Sequence, residues 1–180
     1  SFLAQRNRAL ATARAGNVIG GGDWAAERLI PDILRASDQG ARLQIRSPEA
    51  IRPWQHVLEP LCGYLTLAEK LHESGNDYAG AWNFGPSDAD AKSVRWIVEQ
   101  MSLLGMAPAW QLQSSPQPHE ANYLKLDSSK ARVELGWLPR WQLSQALEKT
   151  LDWHQAWRNG ADMHEFCLRQ IREYESVVNA

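Results

Sequence analysis

With 180 residues, 44% of them hydrophobic and 22% charged, the chain holds enough apolar material for one compact unit with a substantial core. A formal charge of −2 excludes the general basic attraction that holds nucleic acid or an anionic membrane, so any anion site must be assembled from a few local cations. No stretch approaches the ~20 apolar residues that span a bilayer. The start does not read as a signal peptide, and Cys62 and Cys167 lack paired spacing, so a reducing, cytoplasmic setting is expected with both thiols as small core residues. The nine tryptophans are wide, rigid faces that suit cores and sugar or base stacking alike, and most are expected in the core.

Residues 1–10 read as the tail of a helix running into a strand over 11–19, with no initiator methionine before them, as if cut from something longer. Residues 24–30 then form a loop, because Pro31 suits the first turn of a helix and Asp32 adds favourable negative charge there; that helix stops near Gly40. Over 42–46 the alternation predicts a short strand with Leu43 and Ile45 on one face and Gln44 on the other. A helix opens at Pro60 with Leu61, Tyr64, Leu65, Ala68 and Leu71 as its apolar stripe, and Gly75 ends it.

Residues 81–84 read as a buried strand closed by Gly85 and Pro86. Ser93 caps a helix carrying Val94, Ile97, Val98, Met101 and Leu104, and Gly105 closes it. A short strand over 110–113 and a proline-containing loop over 114–119 follow. A long helix over 143–157 repeats Leu143, Ala146, Leu147, Thr150, Leu151 and His154, and Asp162 with Glu165 starts a last helix through Phe166, Cys167, Ile171 and Tyr174. Strands alternating with helices, then an α-rich end, indicate an α/β fold.

The run GGGDWA at 20–25 can be forced into the dinucleotide pattern G-x-G-x-x-A after a strand, but the next helix begins about ten residues later, too far for its N-terminus to meet a pyrophosphate, and Asp23 would repel one. A plain turn, and a loop that sets Asn17 beside a ligand, both stay open. Asn17 stands where a strand ends, and its amide can donate to phosphate or sugar oxygens or cap the local backbone. Arg52 in IRPWQHV (51–57) lies among stiff neighbours and makes a fork suited to phosphate, or else stacks on Trp54 for packing. His119 can donate to a ligand phosphate or lie at the surface. A metal is not expected at His119 and Glu120, since H-E-x-x-H is absent and Pro116 and Pro118 prevent regular helix. His72, His154 and His164 read as structural, and no carboxylates form a recognisable catalytic pair.

Taken in order, RAGNVIGGGDW (14–24), RLIPD (28–32), IRPWQHVLEP (51–60), GAWNFGP (80–86) and PHEANYLKLD (118–127) closely resemble the CDP-glucose 4,6-dehydratases, nucleotide-sugar enzymes of the extended short-chain dehydrogenase/reductase family. The resemblance covers the second half of such an enzyme. It implies the C-terminal part of an extended Rossmann-type fold, one incomplete unit over 1–180 in which the end of the dinucleotide-binding domain interleaves with the α-rich nucleotide-sugar-binding domain. The family's early G-x-x-G-x-x-G loop and its Y-x-x-x-K pair occur nowhere in these residues. So no catalytic and no cofactor-binding residue is expected here, and NAD would be held by the N-terminal half.

Carried over, the resemblance implies that Asn17, Arg28, Leu29 and Arg52 hold the diphosphate and adjoining sugar of CDP-glucose, Leu29 through its backbone. Leu43 and Ile45 would line the base and ribose pocket, and Asn83 and His119 would complete the phosphate contacts. The related dTDP-glucose dehydratases carry an Arg three residues before that His, where this chain has Pro116. The intact enzyme would be a homo-oligomer. Two other functions stay open: a non-catalytic or vestigial nucleotide-sugar-binding module, and an epimerase or decarboxylase of the same family. Relatives of the latter kinds usually have an acidic residue after the Arg, where this chain has Pro53.

Overall fold

The computed structural model describes residues 9–113 and 122–177. The stretch expected as one strand over 11–19 is two, β1 (Ala11–Ala15) and β2 (Asn17–Ile19), in different sheets. Gly16 is the break: a Cβ there would lie 2.3 Å from the Pro53 carbonyl oxygen, so the chain can turn from one sheet to the other only at a glycine. The glycine loop leads to α1 (Leu29–Gln39), whose last turn closes on Gly40 in the left-handed conformation, as expected. β3 (Leu43–Ile45) buries Leu43 and Ile45 and exposes Gln44.

β4 (Ile51–His56) pairs with β2 in parallel and with β6 (Ala91–Ser93) antiparallel. Its register explains how a central strand tolerates Pro53. Pairing with β6 ends at Pro53 and pairing with β2 begins at Trp54, so the residue lacking an N–H sits where the partner changes. α2 (Leu58–Ser74) follows at once and starts two residues before Pro60. β5 (Gly80–Phe84) pairs in parallel with β1, and β7 (Trp110–Leu112) with β3. α3 (Val94–Leu103) is capped by the Ser93 hydroxyl, which accepts from the Trp96 N–H at 3.2 Å. α4 (Ser129–Leu135), α5 (Leu143–Arg158) and α6 (Met163–Ser176) complete the chain. The Asp162 carboxylate accepts from the His164 and Glu165 N–H groups, which places the cap of α6 as the sequence indicates.

The apolar residues form two cores. The larger gathers α1, β2, β3, β4, α3 and α5 around Ile33, Trp54, Ile97, Met101 and Leu147; the smaller gathers β5, α2 and α4 around Trp82, Phe84 and Trp137. The chain passes between them repeatedly, and buried polar groups tie them together. The Gln55 amide donates to the Phe84 carbonyl at 2.7 Å, from β4 to the end of β5. The Glu59 carboxylate, fully buried at the start of α2, accepts from the backbone N–H groups of Arg140 and Trp141 and from the Tyr174 hydroxyl.

Three expectations are corrected. α2 buries its Leu61, Tyr64, Leu65, Ala68 and Leu71 stripe only in part: Tyr64 and Leu71 pack half-buried against the smaller core, Leu61, Leu65 and Ala68 are exposed, and Glu59, Pro60, Gly63 and Leu67 are the buried positions. Gly63 decides this, because a Cβ there would lie 2.3 Å from the Phe84 ring, and the helix approaches β5 on its glycine face. Both cysteines are half-buried free thiols, and only Cys62 packs against a core, the smaller one. Four of the nine tryptophans are fully buried, Trp54, Trp82, Trp137 and Trp141, whereas Trp24 and Trp157 are exposed.

Candidate functional site

A cleft of about 920 Å³ opens beside the larger core. One wall is β2 with Asn17, continued by the glycine loop and then by Asp23, Glu27, Arg28 and the first turn of α1. The floor is Leu43, Ile45 and Trp54, and the far side carries Arg46, Ser47, Arg52, Val94 and Gln113. The cavity has the size of sites for drug-sized ligands, but its walls are more polar than most such sites.

Six of the eight expected site residues, Asn17, Arg28, Leu29, Leu43, Ile45 and Arg52, line this one cleft, although they come from four separate stretches of sequence. Arg52 is only 7% exposed, and its guanidinium is anchored by donating from Nη1 to its neighbour's carbonyl, that of Ile51, at 2.9 Å. Arg28 stands at the rim and pairs with Asp23 at 3.1 Å. The Asn17 amide has no hydrogen-bond partner among the described residues. Leu29 and Ile30 open α1, whose first i→i−4 bond runs from the Asp32 N–H to the Arg28 carbonyl. Their own N–H groups therefore lack helical partners, and together with the helix dipole they make the cleft wall an anion acceptor.

Asn83 is not among the cleft-lining residues. Its Nδ2 donates to the Asp127 carbonyl at 2.9 Å and its Oδ1 is buried without a partner. His119 falls outside the described residues. Arg46 was missed by the sequence reading, yet it stands at the end of β3 in the cleft and pairs with Glu27 at 3.1 Å. Its place directly after an alternating strand was the available signal, since strand ends in α/β sheets face ligands.

Charge in the cleft is balanced, Arg28, Arg46 and Arg52 against Asp23, Glu27 and Asp32, and Asp32 is also held by Arg35 at 2.6 Å. An anion entering here competes with carboxylates for the rim arginines Arg28 and Arg46. His56, just behind the cleft on β4, is neutral. Burial, helped by the positive charge of Lys149, pulls its pKa down to about 4; Nδ1 accepts from the Leu58 N–H, and the ring stands edge-on to Trp141 at 4.9 Å.

Two of the three glycines answer to packing, and the third, Gly22, to its left-handed φ of 76. A Cβ on Gly20 would meet Val57 at 2.8 Å, and one on Gly21 would lie 2.0 Å from the Trp153 ring. In the dinucleotide pattern the glycines must lead straight into a helix whose N-terminus meets the pyrophosphate, and here α1 begins only at Leu29 while the Trp153 indole packs over Gly21 between the pattern glycines Gly20 and Gly22. These residues do not fit that part of NAD. Among the described residues there is no cluster of groups able to hold a metal, and no helix is long and apolar enough to cross a membrane.

Comparison with known proteins decides the fold. The chain is 52% identical over 175 residues to CDP-glucose 4,6-dehydratase of Salmonella typhimurium, a match that takes in 97% of this chain and 49% of the relative. It superposes on UDP-glucose-4-epimerase of Stenotrophomonas maltophila, solved with NAD and formylated UDP-arabinopyranose, with a TM-score of 0.72 at 19% identity over 89% of this chain and 52% of that one. On dTDP-glucose 4,6-dehydratase of Bacillus anthracis with NAD the TM-score is 0.63 at 20% identity, over 81% and 44%.

The fold is that of the extended short-chain dehydrogenases/reductases. No protein-family model matches the chain. The chain spans about half the length of the curated relative it matches, and likewise about half of these solved structures.

Proposed function

We propose that this chain is the nucleotide-sugar-binding portion of a CDP-glucose 4,6-dehydratase, and that its cleft holds the diphosphate of CDP-glucose. The observation that carries this reading is the buried, anchored Arg52 guanidinium facing the same cleft as Asn17, Arg28 and the free N–H groups that open α1. A diphosphate needs cationic and N–H donors from more than one side, and this arrangement supplies them. The apolar floor of Leu43 and Ile45 suits the base and ribose, which ask for contact area. The 52% identity with the Salmonella enzyme supports the cytidine sugar over other nucleotide sugars.

The net reaction of such an enzyme is loss of one water from the glucosyl unit, leaving a ketone at C4 and a methyl at C6, with the hydride borrowed and returned through NAD. The share of this chain is to bind and orient the substrate. Arg52 and the α1 N-terminus fix the diphosphate, and the glucosyl unit is thereby presented to NAD and to an acid–base pair carried on the N-terminal half of the enzyme. Neither the family's cofactor loop nor its Y-x-x-x-K pair occurs in these residues, so the chain alone binds without turnover.

The test is equilibrium dialysis of the chain at micromolar concentration against labelled CDP-glucose, CDP and glucose. Saturable binding of CDP-glucose and CDP, with none of glucose, supports the reading. Glucose binding without CDP binding, or no binding by folded chain, overturns it.

A further inference from the structure

The segment over 20–28 forms a wall of the cleft, with Gly20, Asp23, Glu27 and Arg28 all lining it. Trp24 lies in the middle of that wall and is not among the lining residues; its ring packs against α5 instead. Its centroid is 4.5 Å from that of Trp157 and 6.2 Å from those of Trp153 and His154. Beside it, Gly21 presses on Trp153 so closely that no side chain fits. The socket is itself fixed to α1, since His154 and Arg158 both hold Asp38, at 2.9 and 2.8 Å. The Trp24 carbonyl accepts from Arg35 of α1 at 3.1 Å.

Trp24 is also 51% exposed, so no core depends on it. An indole that makes three ring contacts and yet leaves half its surface in water adds little to global stability, but it does determine where its own segment lies. The segment needs such a hold. Glu27 sits in the left-handed conformation at φ 62, costly for a residue with a Cβ, and from there it reaches Arg46 across the cleft.

We propose that Trp24 is a positioning residue: by docking on Trp153 and Trp157 of α5 it fixes the wall over 20–28, and so sets Arg28 and the start of α1 against an anion in the cleft. The ligand half of this statement rests on the proposed function; the docking half does not. Arg28 carries a trypsin site, which makes the position of the wall measurable without any ligand.

The experiment compares the chain with Trp24→Ala, Trp24→Phe and Trp157→Ala. In Trp24→Ala, cleavage after Arg28 by trypsin is expected about tenfold faster at unchanged global melting, because local release of one segment sets the rate. CDP-glucose affinity is expected to fall about tenfold, the loss of one charge-assisted contact. Trp24→Phe restores both, and Trp157→Ala reproduces the faster cleavage, which keeps the test intact should Trp24→Ala fail to fold. Unchanged cleavage in Trp24→Ala and Trp157→Ala overturns the docking. Faster cleavage with wild-type affinity overturns the link to the ligand. If the wild type binds no CDP-glucose, the proposed function fails, and the cleavage rates still decide the docking.

Discussion

The Tyr174 hydroxyl donates to the Glu59 carboxylate at 2.8 Å, joining the last helix to the first turn of α2 across 115 residues of sequence. The same carboxylate accepts the backbone N–H groups of Arg140 and Trp141. Burial holds its pKa above the usual range despite these donors, and burial together with the adjacent Glu59 charge pushes the Tyr174 phenol up. Glu59→Ala strips three donors of their acceptor, two of them buried. The expected loss is about 3 kcal/mol, or roughly 6 to 12 °C in Tm for a domain of this size. Glu59→Gln keeps an acceptor and is milder. A thermal melt of both variants checks this; an unchanged Tm in Glu59→Ala removes Glu59 as the tie between the cores.

His56 makes stability depend on pH. Its folded pKa of about 4 lies below the unfolded 6.5, so between those values the unfolded chain takes up a proton that the folded chain refuses. Stability therefore rises with pH across this window and is lost on acidification, by about 2 kcal/mol from pH 7 to pH 5 at 1.36 kcal/mol per unit. Glu59 acts with the opposite sign, because a raised carboxyl pKa favours the fold at lower pH. The difference between wild type and His56→Gln isolates the histidine. Denaturant midpoints at both pH values are expected to show a smaller acid loss in the variant, and equal losses would contradict the buried neutral imidazole.

Asp23 and Glu27 pair with Arg28 and Arg46. Asp23→Asn and Glu27→Gln free those arginines, so affinity for CDP-glucose is expected to rise roughly two- to fivefold, the range of exposed ion pairs. The gain shrinks as salt screens the pair. Dialysis at two ionic strengths reads both effects, and weaker binding in Asp23→Asn would mean that the carboxylate itself touches the ligand.

Among the described residues β1 pairs only with β5, and its Thr12, Ala13 and Arg14 are exposed. Parallel strands are ordinarily covered on both faces, and an uncovered edge invites pairing with another chain. The 180-residue chain is expected to self-associate as its concentration rises, and Thr12→Lys to suppress this. Light scattering over a concentration series decides it; a monomer that melts in one sharp transition at every concentration would contradict the exposed edge.

Much of the fold was legible where one local rule governed. The stripe Leu143, Ala146, Leu147, Thr150, Leu151 and His154 is the buried face of α5, and Ser93 and Asp162 cap the helices they precede. Legibility failed where tertiary contact overrode periodicity. α2 turns its glycine face to Phe84, leaving Leu61 and Leu65 in water. β4 is buried along nearly its whole length, so Ile51 to His56 show no alternation, and Pro53 hides a central strand. Family motifs pointed to Asn17, Arg28, Leu29 and Arg52, which no periodicity marks, alternation marked Leu43 and Ile45, and Arg46 went unseen although it directly follows that alternating strand.

Substituting Arg52 tests the central claim most directly. Arg52→Ala is expected to weaken CDP-glucose binding in equilibrium dialysis at least about tenfold, the loss of one buried charge-assisted contact, while the near-ultraviolet circular dichroism stays that of the folded chain. Wild-type affinity in a folded Arg52→Ala variant would contradict the account and take the diphosphate out of this cleft.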